Sequence, residues 1–99
     1  MPFVVKKKDK NNFNVLISEV SCSKHEIVVS DEAHIKLTGG RLDKHALVSA
    51  SVEFLLKKEP NTSILKAFDI ELIGNYFPDY YEEVSRWSNQ IKKKKMHKL

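Results

Sequence analysis

Apolar residues recur along this chain with two different periods, and the switch between them sets the order of the elements. Phe13, Val15, Ile17 and Glu19 alternate with Asn14, Leu16, Ser18 and Val20, a period of two that predicts a strand over about 13–20, apolar enough on both sides to be partly covered. Ser21-Cys22-Ser23-Lys24 is a turn cluster, and His25-Glu26-Ile27-Val28-Val29-Ser30 predicts a second strand over about 25–30. Two such strands make an antiparallel hairpin, which is marginal alone and needs a helical cover. Phe3-Val4-Val5 is short enough to add an edge strand at most. The lysines and Asn11-Asn12 after it read as a linker, so residues 1–12 are expected to be a flexible basic segment before the domain.

Beyond Ser30 the period becomes helical. Asp31 is a competent N-cap for a short helix from Glu32 to Leu37, and Thr38-Gly39-Gly40 ends it because glycine tolerates the left-handed conformation found at helix C-termini. Asp43 can cap a long helix over about 44–58, on which Leu47, Val48, Phe54 and Leu55 fall within about 60° of Ser51 on a helical wheel. Leu56 lies near the polar side of that wheel and marks a candidate second contact. Glu59-Pro60 closes the helix, since a proline disfavours helical backbone at the residue before it. Asn61, Thr62 and Ser63 are possible caps for a helical turn from Ile64 to Phe68, and Asp69 for another from Ile70 to Tyr76. Pro78 stops that pair. Tyr80, Val84, Trp87 and Ile91 then repeat on one helical face that either docks on the core or binds another chain.

The pattern therefore predicts an α+β domain: a hairpin of strands 13–20 and 25–30 packed on the helix over 44–58, with a helical C-terminal half. At 99 residues the chain is long enough for one core and too short for two. The expected limits are a single globular domain over 13–91 and a basic disordered tail over 92–99.

Charge changes the picture at the two ends. The formal net charge is +4, yet residues 1–10 carry +3 and residues 92–99 carry +5, leaving −4 on the 81 residues between them. Basic ends of this kind attract phosphate without sequence preference, and solvation of the chain is their commoner role. No run of about 18 apolar residues exists to span a membrane, and the first ten residues lack the basic-then-apolar order of a signal peptide. A lone Cys22 makes no internal disulfide, in keeping with a reducing compartment. The expectation is a cytoplasmic protein with no membrane partner.

Leu37-Thr38-Gly39-Gly40-Arg41, Val52-Glu53-Phe54-Leu55-Leu56, Glu59-Pro60, Ser63-Ile64-Leu65, Phe68-Asp69 and Tyr76-Phe77-Pro78 together resemble the pattern of a small uncharacterised bacterial protein family, over roughly residues 13–81. The resemblance implies a bacterial cytoplasmic origin and transfers no catalytic or binding residue. A second likeness is topological: a strand, a short helix, a Gly-Gly-Arg turn and a long helix follow the order of ribbon-helix-helix repressors and many antitoxins, which bind DNA as dimers with paired strands in the major groove. Here the exposed strand face would present Lys24, Glu26 and Val28, and a glutamate opposes phosphate.

Candidate chemistry is sparse. Cys22-x-x-His25 has tolerable ligand spacing, but a structural zinc site needs four ligands, and His34, His45 and His97 stand at no matching interval. Cys22 with His25 or His34 makes a thiolate pair in principle, without an identifiable oxyanion loop or orienting group. The Gly39-Gly40-Arg41 turn can offer amides and a guanidinium to an anion, although the spaced glycines and Lys-Ser/Thr pair of a phosphate loop are absent. Its simpler role is to end a helix. Tyr76, Phe77, Tyr80, Tyr81 and Trp87 suit either a stacking surface or a core margin.

The resulting expectation is a non-enzymatic interaction or regulatory module with no cofactor and no metal. It would act on a protein partner or as a homodimer, with Gly39, Gly40, Arg41, Leu56, Tyr80 and Trp87 as candidate contact residues. The alternative is a ribbon-helix-helix-like DNA-binding regulator or antitoxin that uses Lys24 and the basic tails. A third class, a ligand binder or hydrolase, requires Cys22, His25 and Arg41 to converge on one pocket.

Overall fold

The alternation that begins at Phe13 becomes the second of four strands in a mixed sheet. The structure is a computed structural model that describes residues 2–19 and 21–97, with side chains described as far as Asn89. In chain order the elements are β1 (Phe3–Lys7), β2 (Asn12–Ser18), β3 (Cys22–Val28), α1 (Asp31–Thr38), α2 (Lys44–Lys58), a 3₁₀ turn (Asn61–Ser63), β4 (Ala67–Asp69), α3 (Leu72–Tyr76) and α4 (Tyr80–His97). The sheet order is β1-β2-β3-β4, with β1, β2 and β3 antiparallel and β4 parallel to β3. This is an α+β fold.

One side of the sheet carries the core. Phe3, Phe13, Val15, Ile17 and Ile27 all point to it, where they join Leu47, Val48, Val52 and Leu55 of α2 and Tyr80 and Val84 of α4. The partner residues across β1, β2 and β3 keep this period of two in step: Phe3 stands opposite Ile17, Val5 opposite Val15, and Phe13 opposite Ile27. A slip of one residue would turn the whole apolar set outward.

Four expectations need correction. Residues 1–12 are not a segment outside the fold, because Phe3–Lys7 pairs along β2 and Phe3 is buried. Asp9 makes this possible: its Oδ1 accepts from the Asn11 and Asn12 amides and from Asn12 Nδ2, closing the β1–β2 turn. The strands are also shorter or shifted, ending at Ser18 and beginning at Cys22; Val20, part of the expected first strand, lies outside the described residues.

The cap of α1 is Ser30, whose Oγ accepts from the Ala33 amide at 3.0 Å. Asp31 is drawn instead to Lys10 and Lys44, at 2.9 and 2.7 Å. Finally, Ile64–Phe68 is not helical. Lys66 O accepts from the Glu26 amide and the Ile70 amide donates to Val28 O, so the chain runs extended beside β3 as β4. Residues with competent helix caps are overridden here by the edge of β3, whose backbone groups find their partners in β4.

Other local signals hold. Asp43 Oδ1 accepts from the Ala46 amide at 2.7 Å, α2 ends at Lys58 before Pro60, and Gly39 and Gly40 take φ of 65° and 79°. The backbone of α4 is helical to His97; Ile91 and the lysines of the expected 92–99 tail are side chains outside those described. Among the described residues no helix is long and apolar enough to cross a membrane.

Candidate functional site

The expected contact residues divide into three groups. Gly39, Gly40 and Arg41 form an exposed turn, and Arg41 reaches across to α4, donating from Nη1 to Asn89 Oδ1 at 3.1 Å. The turn and the far part of α4 are thus neighbours, although 48 residues separate them in sequence. Leu56 is half-buried and packs against the core.

Tyr80 is not a surface residue at all: it is 0% exposed, its ring lies 5.4 Å from that of Phe54, and burial pushes its phenol well above the ordinary tyrosine range. The expected contact at Tyr80 is therefore corrected to a core anchor. Trp87, half-buried, stands edge-on to Tyr80 with ring centroids 6.2 Å apart.

Cys22, His25 and Arg41 do not converge. Cys22 is exposed, while His25, three residues along the same strand, turns to the opposite side and is 4% exposed. Among the described residues no group of three or more His, Cys, Asp and Glu side chains is placed to hold a metal ion.

His25 makes a different arrangement, one that spacing alone does not reveal. Its Nδ1 lies 2.7 Å from Leu65 O, which requires a proton on Nδ1, and its Nε2 lies 2.8 Å from Ser23 Oγ, which then donates to it. Ser23 Oγ also accepts from Asn61 Nδ2 at 2.8 Å, and the same amide donates to Ser21 O at 2.9 Å. Serine, histidine and an orienting acceptor are the parts of a nucleophile and base. Ser23, however, donates to His25 and accepts from Asn61, and it lines neither surface depression of the protein. The triplet works as a strut that ties β3 to the 61–65 segment.

That strut positions an apolar groove. Leu55 and Glu59 at the end of α2, Ile64 and Leu65 after the 3₁₀ turn, Phe68 of β4, and Leu72, Ile73, Tyr76 and Phe77 around α3 enclose about 350 Å³ open to solvent. Among the described residues, Glu59 and Ser63 are its only polar lining side chains apart from the Tyr76 hydroxyl. Leu65 is 49% and Tyr76 65% exposed, while Phe77 packs edge-on to Phe54 at 6.1 Å. Outside the groove, Lys58 Nζ lies 5.2 Å from the Phe54 ring and 5.9 Å from that of Phe77, and 2.7 Å from Asp79 Oδ2.

A second depression of about 580 Å³ lies on the open side of the sheet, around Val4, Lys6, Asn14, Leu16, Lys24, Glu26 and Lys66. The sequence pattern points to Lys24 and Glu26 there but not to Lys6, because residues 1–12 read as a linker. The alternation of Phe3 and Val5 against Val4 and Lys6 was the available signal.

No family model, curated protein or solved structure matches the chain.

Proposed function

We propose that this protein is a non-enzymatic interaction module that receives an apolar segment of a protein partner in the groove between α2, β4 and α3. The observation that carries this reading is the exposure of Leu65 and Tyr76 beside half-buried Phe68 and Phe77 in one continuous depression. Apolar surface left in water forgoes roughly 25 cal/mol per Å² of stabilisation that a bound side chain would recover. Interfaces draw most of their affinity from a few such anchors in preformed pockets.

The groove lies beside an open sheet edge. β4 pairs with β3 on one side and with no described strand on the other. An extended peptide can add to that edge by main-chain hydrogen bonds while one apolar side chain fills the groove. The ribbon-helix-helix alternative requires the strand before α1 to pair with a second copy. β3 already has β2 and β4 on its two edges, which weighs against that mode. A bacterial cytoplasmic setting, implied by the family likeness, belongs to the same proposal.

Selection of random peptides displayed on phage, carried out in parallel on the native chain and on Leu65→Asp/Tyr76→Asp, tests the reading. Extended sequences with an aliphatic or aromatic anchor are expected on the native chain alone. Equal recovery on both would overturn the groove. Self-association abolished by the same pair of substitutions would replace the peptide with a second copy.

A further inference from the structure

We propose that the open face of the β1-β2-β3 sheet binds double-stranded DNA, seated in the major groove and held by lysines on its phosphates. This surface is separate from the apolar groove and does not depend on it.

The register maps the face row by row. Val4, Leu16 and Lys24 stand side by side across the three strands, and the next row is Lys6, Asn14 and Glu26. Lys66 leads into β4 at one margin and Lys8 follows β1 at the other. Glu26, the carboxylate that opposed a nucleic-acid reading of the sequence, is 3.5 Å from Lys8 Nζ, so its charge is offset within the fold. Asp69, at the β4 edge, is engaged by the Glu71 amide at 3.0 Å. With β1 in the sheet and Lys8 paired to Glu26, the face keeps Lys6, Lys24 and Lys66 against the single carboxylate of Asp69.

Shape and composition select the duplex. With strands about 4.8 Å apart, the axes of β1 and β3 are separated by roughly 10 Å, and β4 widens the sheet only beside Glu26–Val28, away from the Val4-Leu16-Lys24 row. A B-form major groove is roughly 12 Å wide, whereas that of A-form RNA is too deep and narrow for side chains to read. Lys6 and Lys24, two strands apart and two residues out of step, have Cα atoms on the order of 12 Å apart, and their stems extend that span toward both walls of the groove. No aromatic side chain points out of this face among the described residues. A single strand would therefore lack the stacking platforms it normally uses. The centre is suited to base edges instead: Asn14 can bond adenine, and exposed Val4 and Leu16 can meet thymine methyl groups.

Fluorescence anisotropy with a labelled mixed-sequence duplex of about 20 base pairs, titrated from about 50 to 200 mM salt, tests the assignment. The full chain is compared with Lys6→Ala/Lys24→Ala/Lys66→Ala and with a variant whose Lys92, Lys93, Lys94 and Lys95 are alanine. The sheet variant is expected to bind at least about tenfold more weakly and to lose roughly two to three units of the log–log salt slope, close to 0.9 per phosphate contact. The same deficit is expected when the two sets of substitutions are combined. Circular dichroism checks that these exposed substitutions leave the fold intact. Undiminished binding by the sheet variant, with loss only in the tail variant, would overturn the proposal. So would equal or tighter binding of a single-stranded oligonucleotide, or competition by polyglutamate at matched charge as effective as that by unlabelled duplex.

Discussion

The Tyr80 hydroxyl meets Ser51 Oγ at 2.7 Å, joining the first residue of α4 to the middle of α2 inside the core. Ser51 is the one hydroxyl at the centre of an otherwise apolar helical stripe, and both residues are fully buried. The bond satisfies two polar groups that have no access to water. Tyr80→Phe is expected to destabilise the fold by about 1–3 kcal/mol, because the Ser51 hydroxyl is left buried without its partner. Adding Ser51→Ala should recover part of that loss, since both polar groups are then gone. Urea unfolding of the two single variants and the double variant measures the coupling, and strictly additive effects would show that the contact is not a unit.

His25 links β3 to the segment that shapes the apolar groove. His25→Ala removes the partner of Leu65 O and one partner of Ser23 Oγ, and it opens a cavity beneath the sheet. A loss of about 2–4 kcal/mol is expected from these combined effects. The local signature is faster hydrogen exchange at the amides of residues 63 to 66. Unchanged protection there would mean that the groove is held by its apolar contacts alone.

Asp31 couples stability to acid. Hydrogen bonds from Lys10 and Lys44 hold its carboxyl at about 2, below the ordinary 3.8. A carboxylate whose pKa is lower in the folded state contributes stability that is present above its unfolded pKa. That contribution is lost as pH falls from near 4 toward 2. Asp31→Asn is expected to lower the urea midpoint at pH 6 while converging on the native protein near pH 2. Because Asp31 and Lys10 lie at the surface, the effect should shrink in high salt. A constant difference between the two proteins across this pH range would remove the linkage.

Leu65→Asp and Tyr76→Asp alter side chains that already stand half or more in water. Each is expected to change stability by no more than about 0.5 kcal/mol, as for surface positions generally. A melting temperature close to that of the native chain would therefore attribute lost peptide binding to the groove rather than to unfolding.

Several features were legible because they depend on neighbours in the chain. Asp43 caps α2, Pro60 stops it, and Gly39-Gly40 ends α1, each through backbone geometry set within four residues. The alternation of Phe13, Val15 and Ile17 likewise identified β2 as a strand. Where two local signals competed, the outcome came from farther away. Ser30 and Asp31 are both good caps, and the choice follows from Lys10 and Lys44, residues of the β1–β2 turn and of α2 that only the fold brings near Asp31.

The α+β class, the existence of β2, the outward side of β3 and the limits of α2 were determined by the sequence alone, since periodicity and caps act over a few residues. Tertiary structure decided which edge of β3 would draw Ala67–Asp69 out of a helical turn and whether Phe3–Lys7 would join the sheet. It also decided that Tyr80 would be core rather than contact surface. These outcomes rest on unpaired backbone groups and apolar area contributed by residues tens of positions away, which no local pattern records. The two surfaces proposed to bind arise from the same long-range pairings: β4 forms one wall of the apolar groove, and β1 with the turn after it brings Lys6 and Lys8 to the open face.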